Sequence, residues 1–338
     1  MHKITLIPGD GIGPSISDAA VRVLEATGVA IEWDRQLAGM AAVEKYDNPL
    51  PDATLASIRS NRVCFKGPLT TPVGGGYRSV NVTLRQAFNL YANVRPALSF
   101  EGTNVANDHV NLVTIRENTE GLYAGIEHFI TVDQKRIAAE SIAVITREGS
   151  ERIIRYAFEY ARKTGRKKVT LVHKANILKC TSGLFLEIGR EIAPEYPDIA
   201  FDDRIVDACC MQLVMKPEIF DVIVTTNLFG DIISDLASGL VGGLGLTAGA
   251  NIGADAALFE AVHGSAPDIA HLGIANPVAM ILAGSMMLEH IGEAAAARSV
   301  EKAVRDVIRE GRSLTPDLRP GSTFGTNDIT DAIIAAMA

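Results

Sequence analysis

Two aspartates four residues apart, Asp231 and Asp235, lie in the segment Asn227–Asp235 (NLFGDIISD), which follows a short β-rich run. On a helix this spacing places both carboxylates on one face, where they repel each other unless a cation lies between them. Oxygen ligands favour Mg²⁺ or Mn²⁺ over zinc. The spacing therefore predicts either a metal site, with Asp207 as a plausible third oxygen ligand, or a charge effect at the start of a helix.

Three arginines, Arg85, Arg95 and Arg116, follow one another in a second polar region. Arg85 comes four residues after Asn81, so the two share one face of a predicted helix that Ser79 is placed to cap. Guanidinium groups bind carboxylates through two parallel hydrogen bonds, so three converging arginines suit a di- or tricarboxylate substrate. Scattered surface ion pairs are the alternative for any one of these arginines.

Two glycine-containing loops are candidates for nucleotide binding. The loop Pro8–Pro14 reads G-x-G-x-G followed by proline, and it lacks the G-x-G-x-x-G spacing of the Rossmann fingerprint. It therefore predicts a tight turn from a strand to a helix. The loop Glu260–Ile269 (EAVHGSAPDI), with Asn276 shortly after it, is of the polar kind that wraps a nucleotide, although its chemistry alone is weakly specific.

The elements that must position these residues alternate between short β-rich runs and longer helical stretches, which predicts an α/β fold with a largely parallel sheet. The predicted strands are Lys3–Ile7, Val29–Trp33, Arg62–Phe65, Asn111–Ile115, Ile142–Thr146, Lys168–His173 and Asp221–Thr226. The predicted helices are Pro14–Thr27, Ser79–Tyr91, 150–163, Thr181–Ile192, 230–240, Ala275–Gly292, Ala294–Glu310 and one that starts near Thr326. The glycine-rich stretch Gly239–Gly253 indicates a hinge or a crossing between lobes.

Length and composition limit the class of protein. The 338 residues suggest about two domains, and 47% apolar with 21% charged residues permits a large core. A net charge of −8 argues against nucleic-acid binding, and no uncharged stretch suits a membrane span. The four cysteines form no C-x-x-C pair and indicate buried thiols of a reducing compartment. With no recognisable targeting segment, the cytoplasm is the expected location.

The segments Asn227–Asp235 and His263–Asp268 (HGSAPD) together resemble the signatures of the metal-dependent β-decarboxylating dehydrogenases, the isocitrate and isopropylmalate dehydrogenase family. The resemblance extends over essentially the whole chain. It implies a two-domain α/β fold that is not a Rossmann fold, with a discontinuous large domain. That domain, 1–98 and 242–338, would hold both termini and the cofactor loops. The small domain, 99–241, would hold the dimer interface and the metal site, with the active site between the domains.

The resemblance also implies roles for individual residues. Mg²⁺ or Mn²⁺ would be held by Asp231, Asp235 and Asp207 of the partner subunit in a homodimer, and would act as a Lewis acid. Lys174 of the partner subunit would take the substrate's hydroxyl proton, and Tyr123 would return a proton to carbon. The carboxylate-binding residues would be Ser79, Asn81, Arg85, Arg95 and Arg116. The dinucleotide contacts would be Thr71, Glu260, His263, Gly264, Ser265, Ala266, Asp268, Ile269 and Asn276.

Substrate choice within the family is expected at the start of the Ser79 helix. Isopropylmalate enzymes usually have a glutamate and a leucine there, whereas this sequence has Ser79, Asn81 and Thr83. Hydroxyl and amide groups suit the third carboxylate of isocitrate. The expected activity is oxidative decarboxylation of isocitrate to 2-oxoglutarate and CO₂, a reaction of the tricarboxylic acid cycle. Homoisocitrate dehydrogenase is the alternative, because that family also has serine at the helix start; Asn81 favours isocitrate.

Cofactor choice is expected at Asp268 and Ile269, where relatives that use NADP carry lysine and tyrosine. A carboxylate there can accept hydrogen bonds from both ribose hydroxyls and would repel a 2′-phosphate, so the pair favours NAD; a helix cap is the alternative for Asp268. Two other classes of protein remain open, a non-catalytic regulatory subunit of a heteromeric enzyme and a tricarboxylate-binding protein. The complete set of arginines, tyrosine, lysine and aspartates favours the enzyme over both.

Overall fold

The computed structural model describes residues 1–71, 77, 79–103, 105 and 109–337, and the chain divides into two compact units. Unit 1 comprises Met1–Leu90, Leu98–Val110 and Ser238–Ala338, and unit 2 comprises Tyr91–Ala97 and Asn111–Ala237. Each unit is thus assembled from separate stretches of chain. The two units do not test the predicted division into a large domain (1–98 and 242–338) and a small domain (99–241), which stays a prediction.

Unit 1 contains five strands that lie in the order β2-β1-β3-β12-β11. Their bounds are β1 (His2–Ile7), β2 (Ile31–Arg35), β3 (Val63–Lys66), β11 (Ala248–Ile252) and β12 (Ala257–Ala261). Strands β2, β1, β3 and β12 are mutually parallel, and β11 runs antiparallel to β12. Parallel strands are typically covered by helices on both faces, and the strands β1 and β12 are correspondingly buried over most of their length.

The helices of unit 1 enclose this sheet. They are α1 (Gly13–Ala26), α2 (Met40–Tyr46), α3 (Asp52–Asn61), α4 (Val80–Ala87), α9 (Val278–His290), α10 (Ala294–Glu310) and α11 (Thr326–Met337). Helix α1 packs on α9 and α11, and its side chains Ile16, Ala20, Val23 and Leu24 are fully buried. The apolar face predicted from their spacing is therefore confirmed.

Unit 2 contains a second set of strands in the order β4-β5-β10-β8-β9, together with the separate hairpin β6-β7. The strands are β4 (Ala92–Leu98), β5 (Asn111–Glu117), β6 (Gly121–Val132), β7 (Lys135–Val144), β8 (Lys168–His173), β9 (Ala200–Ile205) and β10 (Val222–Thr225). The helices are α5 (Arg147–Thr164), α6 (Thr181–Ile192), α7 (Val206–Met215) and α8 (Asn227–Leu240). Strands β5, β10, β8 and β9 are parallel, and α5 packs against β5, β8 and β10.

The α/β class with a largely parallel sheet is confirmed, but several local predictions are wrong. Helix α4 ends at Ala87, four residues earlier than expected, because Asn89 takes a left-handed conformation (φ 44°) and the chain continues into β4. The long hairpin β6-β7 was predicted only as a strand at Ile142–Thr146. The chain passes from unit 2 to unit 1 at Ala237–Ser238, directly before the stretch Gly239–Gly253 that was predicted as a hinge or crossing; the strand β11 within that stretch was not predicted.

The composition led to two predictions, one on membrane spans and one on the burial of the cysteines. None of the helices among the described residues has the length and apolarity that a membrane span requires. Cys64 and Cys209 are buried as expected, but Cys180 is exposed and Cys210 is half-buried. The interpretation of all four cysteines as buried thiols is therefore wrong for these two.

Candidate active site

The predicted aspartate pair lies on one face of α8, beside an arginine from β4. Arg95 Nη1 donates hydrogen bonds to Asp235 Oδ1 at 3.1 Å and to Ser234 Oγ at 2.7 Å, and it lies 3.4 Å from Asp231 Oδ1. Within this chain, the cation between the two carboxylates is thus the Arg95 guanidinium. Burial raises the pKa of Asp235, and the neighbouring Asp231 raises it further against the opposing effect of Arg95.

A second arginine, Arg116 on β5, is 1% exposed and holds the start of α8. Its Nε and Nη2 donate to Asn227 Oδ1 at 3.0 and 2.8 Å, and its Nη1 donates to Asp231 Oδ1. Gly230 permits this approach, since a Cβ there would lie 2.5 Å from Arg116 Cγ. The helix begins at Asn227, three residues earlier than predicted, with Gly230 N–H donating to the Thr226 carbonyl at 2.9 Å.

Tyr123 completes the cluster on α8. Its hydroxyl donates to Asp231 Oδ2 at 2.7 Å, and the Arg116 guanidinium lies 5.2 Å from the centre of its ring. The structure therefore brings together five residues that the sequence singled out for substrate, metal and proton transfer. They are Arg95, Arg116, Tyr123, Asp231 and Asp235.

Lys174 and Asp207 form a separate pair in unit 2. Lys174 Nζ donates to Asp207 Oδ1, and this hydrogen bond lowers the pKa of Asp207. In the part of the chain that the structure describes, no three side chains of Asp, Glu, His or Cys lie close enough together to hold a metal ion. Asp207 therefore does not join Asp231 and Asp235 within one chain. The oxygen-only chemistry of the two aspartates fits Mg²⁺ or Mn²⁺ as a partial ligand set.

The start of α4 in unit 1 carries the predicted substrate residues. Ser79 occupies the N-cap position, but its side chain makes no capping hydrogen bond, so the predicted capping role of its hydroxyl is wrong. Thr71 Oγ1 approaches Ser79 Oγ at 3.5 Å, and the Ser79 carbonyl accepts from Thr83 N–H at 3.0 Å. The amide oxygen of Asn81 is buried and has no hydrogen-bond partner among the described residues.

A buried charge cluster lies beside α4. Lys66 Nζ contacts Glu260 Oε2 at 2.7 Å, Asn251 Nδ2 donates to Glu260 Oε1 at 2.8 Å, and Arg85 Nη2 lies 3.8 Å from the same carboxylate. Burial raises the pKa of Glu260, but Lys66 and Arg85 outweigh it and bring that pKa to about 2. Glu260, predicted as a cofactor contact, is therefore an ionised partner of Lys66.

The predicted cofactor loop borders a cavity of about 290 Å³ in unit 1, whose exposed lining is mainly apolar. Its lining residues are Ile12, Gly245, His263, Gly264, Ala266, Ile269, Ile274, Ala275, Asn276, Pro316 and Asp317. Five of the nine predicted cofactor contacts are thus at the cavity, and Thr71, Glu260, Ser265 and Asp268 are not among its lining residues. Burial lowers the pKa of His263, which favours the neutral ring.

Asp317 is a cavity residue that the sequence reasoning missed. Its Oδ2 accepts a hydrogen bond from Asn276 Nδ2 at 2.9 Å. No local motif surrounds Asp317, because the loop that carries it follows α10 and meets the predicted cofactor loop only in the folded chain. The sequence pattern therefore could not predict that Asp317 lies beside Asn276.

The turn between β1 and α1 contacts the predicted cofactor loop and holds it in place. Ile12 N–H donates to the Ser265 carbonyl at 2.8 Å, and the Thr70 and Ser265 hydroxyls are 2.7 Å apart. Gly11 has a left-handed φ of 58°, and a Cβ on it would lie 2.0 Å from the Ser265 carbonyl oxygen. The turn runs from strand to helix as predicted, and its second glycine is required by the close approach of the loop.

Comparisons with known proteins agree with these observations. A family model described as isocitrate/isopropylmalate dehydrogenase matches residues 3–333. The match and the fold define the chain as a dehydrogenase, an oxidoreductase of mixed α/β structure. More particularly, the chain belongs to the isocitrate/isopropylmalate dehydrogenase family.

Individual relatives carry the names of two activities. The chain is 50% identical over 332 residues (98% of this chain, 87% of the relative) to the mitochondrial isocitrate dehydrogenase [NAD] catalytic subunit 6 of Arabidopsis thaliana. It is 51% identical over 337 residues (100% of each chain) to the 3-isopropylmalate dehydrogenase of Archaeoglobus fulgidus. A crystal structure of isocitrate dehydrogenase from Methylococcus capsulatus is 79% identical, with a TM-score of 0.98, and the match covers 100% of this chain and 99% of that one.

Proposed function

We propose that this chain is an NAD-dependent isocitrate dehydrogenase that converts isocitrate to 2-oxoglutarate and CO₂ with Mg²⁺ or Mn²⁺. The observation that carries the substrate assignment is the polar start of α4. The Ser79 hydroxyl makes no capping hydrogen bond and can donate to a carboxylate. The amide nitrogen of Asn81 is a second donor at the same turn, whereas its buried amide oxygen can only accept. Isocitrate has a carboxylate where isopropylmalate has an isopropyl group, and polar groups left facing an isopropyl group would lose their hydration without a partner.

The relatives differ in how strongly their names support the isocitrate assignment. The relative with 79% identity is described as an isocitrate dehydrogenase, whereas relatives near 50% identity carry both names. At the level of 50% identity the family name does not separate the two substrates. The residues at the start of α4 therefore carry the argument, and the more similar structure agrees with them.

In the proposed reaction the substrate loses its hydroxyl proton and a hydride, then CO₂, and the resulting enolate carbon gains a proton. Bound Mg²⁺ or Mn²⁺ would supply Lewis-acid polarisation, and NAD would accept the hydride. Lys174 would accept the hydroxyl proton, and the Tyr123 hydroxyl would donate a proton to carbon. The guanidinium groups of Arg95 and Arg116 would bind substrate carboxylates through charge-assisted hydrogen bonds.

The preference for NAD is supported by the chemistry of the cofactor loop. The cavity beside His263 and Ile269 offers an apolar lining for a flat ring system. Asp268 is exposed on the same loop, one residue before Ile269. A carboxylate there suits ribose hydroxyls as hydrogen-bond donors and opposes a 2′-phosphate.

We also propose that the enzyme is a homodimer in which each active site takes Lys174 and Asp207 from the partner. These two residues pair with each other and not with the aspartates of α8, so one chain leaves the metal ligand set incomplete. Helices α7 and α8 also expose large apolar side chains, as a subunit interface requires. They are Met211, Val214, Met215 and Ile232.

The test is to compare kcat/KM for isocitrate, homoisocitrate and isopropylmalate, using the purified chain with NAD and Mg²⁺. Isocitrate is expected to be the best substrate. In the double variant Ser79→Ala with Asn81→Leu, KM for isocitrate should rise by roughly 10²- to 10⁴-fold, since two hydrogen bonds to a charged group are lost and each contributes about 1.5–3 kcal/mol. Gln86→Leu, an equally apolar change at an exposed position of α4, is the matched control and should leave KM unchanged.

Each alternative has its own result in this comparison. Better turnover of isopropylmalate or homoisocitrate by the unmutated chain would contradict the substrate assignment. A chain that binds isocitrate but turns over none of the three acids would be a regulatory subunit or a binding protein. An equal rise of KM in Gln86→Leu would show that the effect of the double variant is not specific to Ser79 and Asn81.

A further inference from the structure

His173 ends strand β8 and immediately precedes Lys174. Its side chain is buried, and both ring nitrogens are engaged: Nδ1 accepts a hydrogen bond from Ala175 N–H at 3.0 Å, and Nε2 lies 3.2 Å from Asp203 Oδ2. We propose that His173 is a positioning residue that fixes the turn carrying Lys174 and thereby places the Lys174 amine for proton transfer. This inference rests on the proposed function, in which Lys174 takes the substrate's hydroxyl proton.

The hydrogen-bond partners determine which ring nitrogen carries the proton. A backbone N–H can only donate, so Nδ1 must present its lone pair to Ala175, and the ring proton must lie on Nε2, where Asp203 accepts it. Asp203 is in turn held by Arg190, whose Nη2 donates to Asp203 Oδ1 at 2.9 Å. Burial raises the pKa of Asp203, but its hydrogen bonds from Arg190 and His173 bring it below the ordinary value. An ionised Asp203 thus keeps the ring in one tautomer and one orientation.

The bond from Ala175 N–H to Nδ1 spans residues i and i+2, and it closes the same kind of ring as an asparagine or aspartate side chain closes in an Asx turn. On the other side, the Lys174 carbonyl accepts hydrogen bonds from Ile177 N–H at 3.0 Å and Leu178 N–H at 2.8 Å. The backbone of Lys174 is therefore held from both directions at the point where β8 ends. Without the Nδ1 bond, the peptide between Lys174 and Ala175 loses one of these restraints.

The same contacts indicate that the His173 ring positions Lys174 and does not itself transfer the substrate's proton. The Nδ1 lone pair is used by the backbone, and the Nε2 proton is used by Asp203. A general base must be placed within hydrogen-bond reach of the proton it takes, and a displacement of about 1 Å can cost on the order of 100-fold in rate. His173 therefore influences kcat by placing Lys174 and not by taking the substrate's proton itself.

Two substitutions test the hydrogen bonds of the two ring nitrogens separately. In His173→Asn the side-chain oxygen takes the place of Nδ1, so the turn bond is kept and the contact with Asp203 is lost. In His173→Gln the amide nitrogen takes the place of Nε2, so the contact with Asp203 is kept and the turn bond is lost. With the best substrate of the three acids, we expect kcat of His173→Asn to stay within about 3-fold, and kcat of His173→Gln to fall by roughly 10- to 100-fold. KM should change by less than about 3-fold in both.

Ala175→Pro removes the N–H donor and leaves His173 intact, which keeps the proposal testable if a His173 variant does not fold. Ala175 is the second residue of the turn from Lys174 to Ile177, a position where proline is favoured. We expect the same fall in kcat as in His173→Gln. Normal kcat in His173→Gln or Ala175→Pro would overturn the proposal, as would kcat values that merely follow the melting temperatures of the variants.

Lys174→Met distinguishes a failure of this inference from a failure of the proposed function. If Lys174→Met keeps its activity, the proposed role of Lys174 is wrong, and the positioning role falls with it. If Lys174→Met is inactive while His173→Gln and Ala175→Pro are normal, Lys174 keeps its role and only the positioning by His173 is wrong. An inactive Lys174→Met with active His173→Asn and impaired His173→Gln supports both.

Discussion

Strands β3 and β12 are paired so that Glu260 lies in register with Lys66, and their ion pair is buried, with side chains 2% exposed for Lys66 and 11% for Glu260. Lys66→Met would leave the Glu260 carboxylate buried without its ammonium partner, with the Arg85 guanidinium 3.8 Å away. Removal of one partner of a buried ion pair costs about 3–5 kcal/mol. For a domain of about 150–250 residues, each kcal/mol lowers the melting temperature by roughly 2–4 °C, so a fall of roughly 6–20 °C is expected.

The pH dependence of this contribution follows from the carboxylate. Although burial raises the pKa of Glu260, Lys66 and Arg85 lower it from 4.5 to about 2. Because the folded-state pKa is below the unfolded one, the ionised carboxylate stabilises the fold above pH 4.5, and this stabilisation is lost as the pH falls through about 2. It corresponds to roughly 3 kcal/mol at pH 7 and roughly 1 kcal/mol at pH 3. The penalty of Glu260→Gln should therefore shrink between these two pH values.

The assay is thermal unfolding followed by circular dichroism, on Lys66→Met, Glu260→Gln and the double variant. The double variant should recover much of the loss, because neither charge is then left buried alone. The matched control is the exposed pair Lys3–Glu32, which has the same 2.7 Å separation; its Lys3→Met variant should leave the melting temperature nearly unchanged, because both charges are already solvated. Equal losses in Lys66→Met and Lys3→Met, or simple addition in the double variant, would refute the reasoning.

Three further predictions concern the reaction. The unmutated chain should favour NAD over NADP by on the order of 100-fold in kcat/KM, and Asp268→Lys with Ile269→Tyr should shift the preference toward NADP; equal efficiency with both cofactors in the unmutated chain would contradict the assignment. A randomly paired pool of the inactive variants Lys174→Met and Asp231→Asn should regain roughly a quarter of normal activity, because about half of its dimers are mixed and each of these has one intact shared site. An inactive pool in which mixed dimers demonstrably form would rule out shared sites. Tyr123→Phe should lower kcat by roughly 10²- to 10⁴-fold because it keeps the ring but removes the proton donor, and an unchanged kcat would exclude Tyr123 as that donor.

The sequence alone determined features that depend on local periodicity. The spacing of Asp231 and Asp235 required only that the segment be helical, and α8 places both carboxylates on one face. The apolar positions of α1 were likewise readable from the helical period, as were the bounds of β8 and α6, which the predictions matched at both ends. The family was also identifiable from two short motifs, Asn227–Asp235 and His263–Asp268, because each holds several polar residues and a glycine in a fixed order.

The tertiary structure decided the contacts between residues that are distant in the chain. The register of β3 and β12 paired Glu260 with Lys66, although the sequence had suggested a cofactor contact for Glu260. The hairpin β6-β7 was predicted only in part, because most of both strands is exposed and its sequence has no regular alternation of buried and exposed positions. The cation beside Asp235 is Arg95, which lies 140 residues away in the chain. Local spacing contains no information on such distances, because they depend on how strands pair and helices pack in the whole unit.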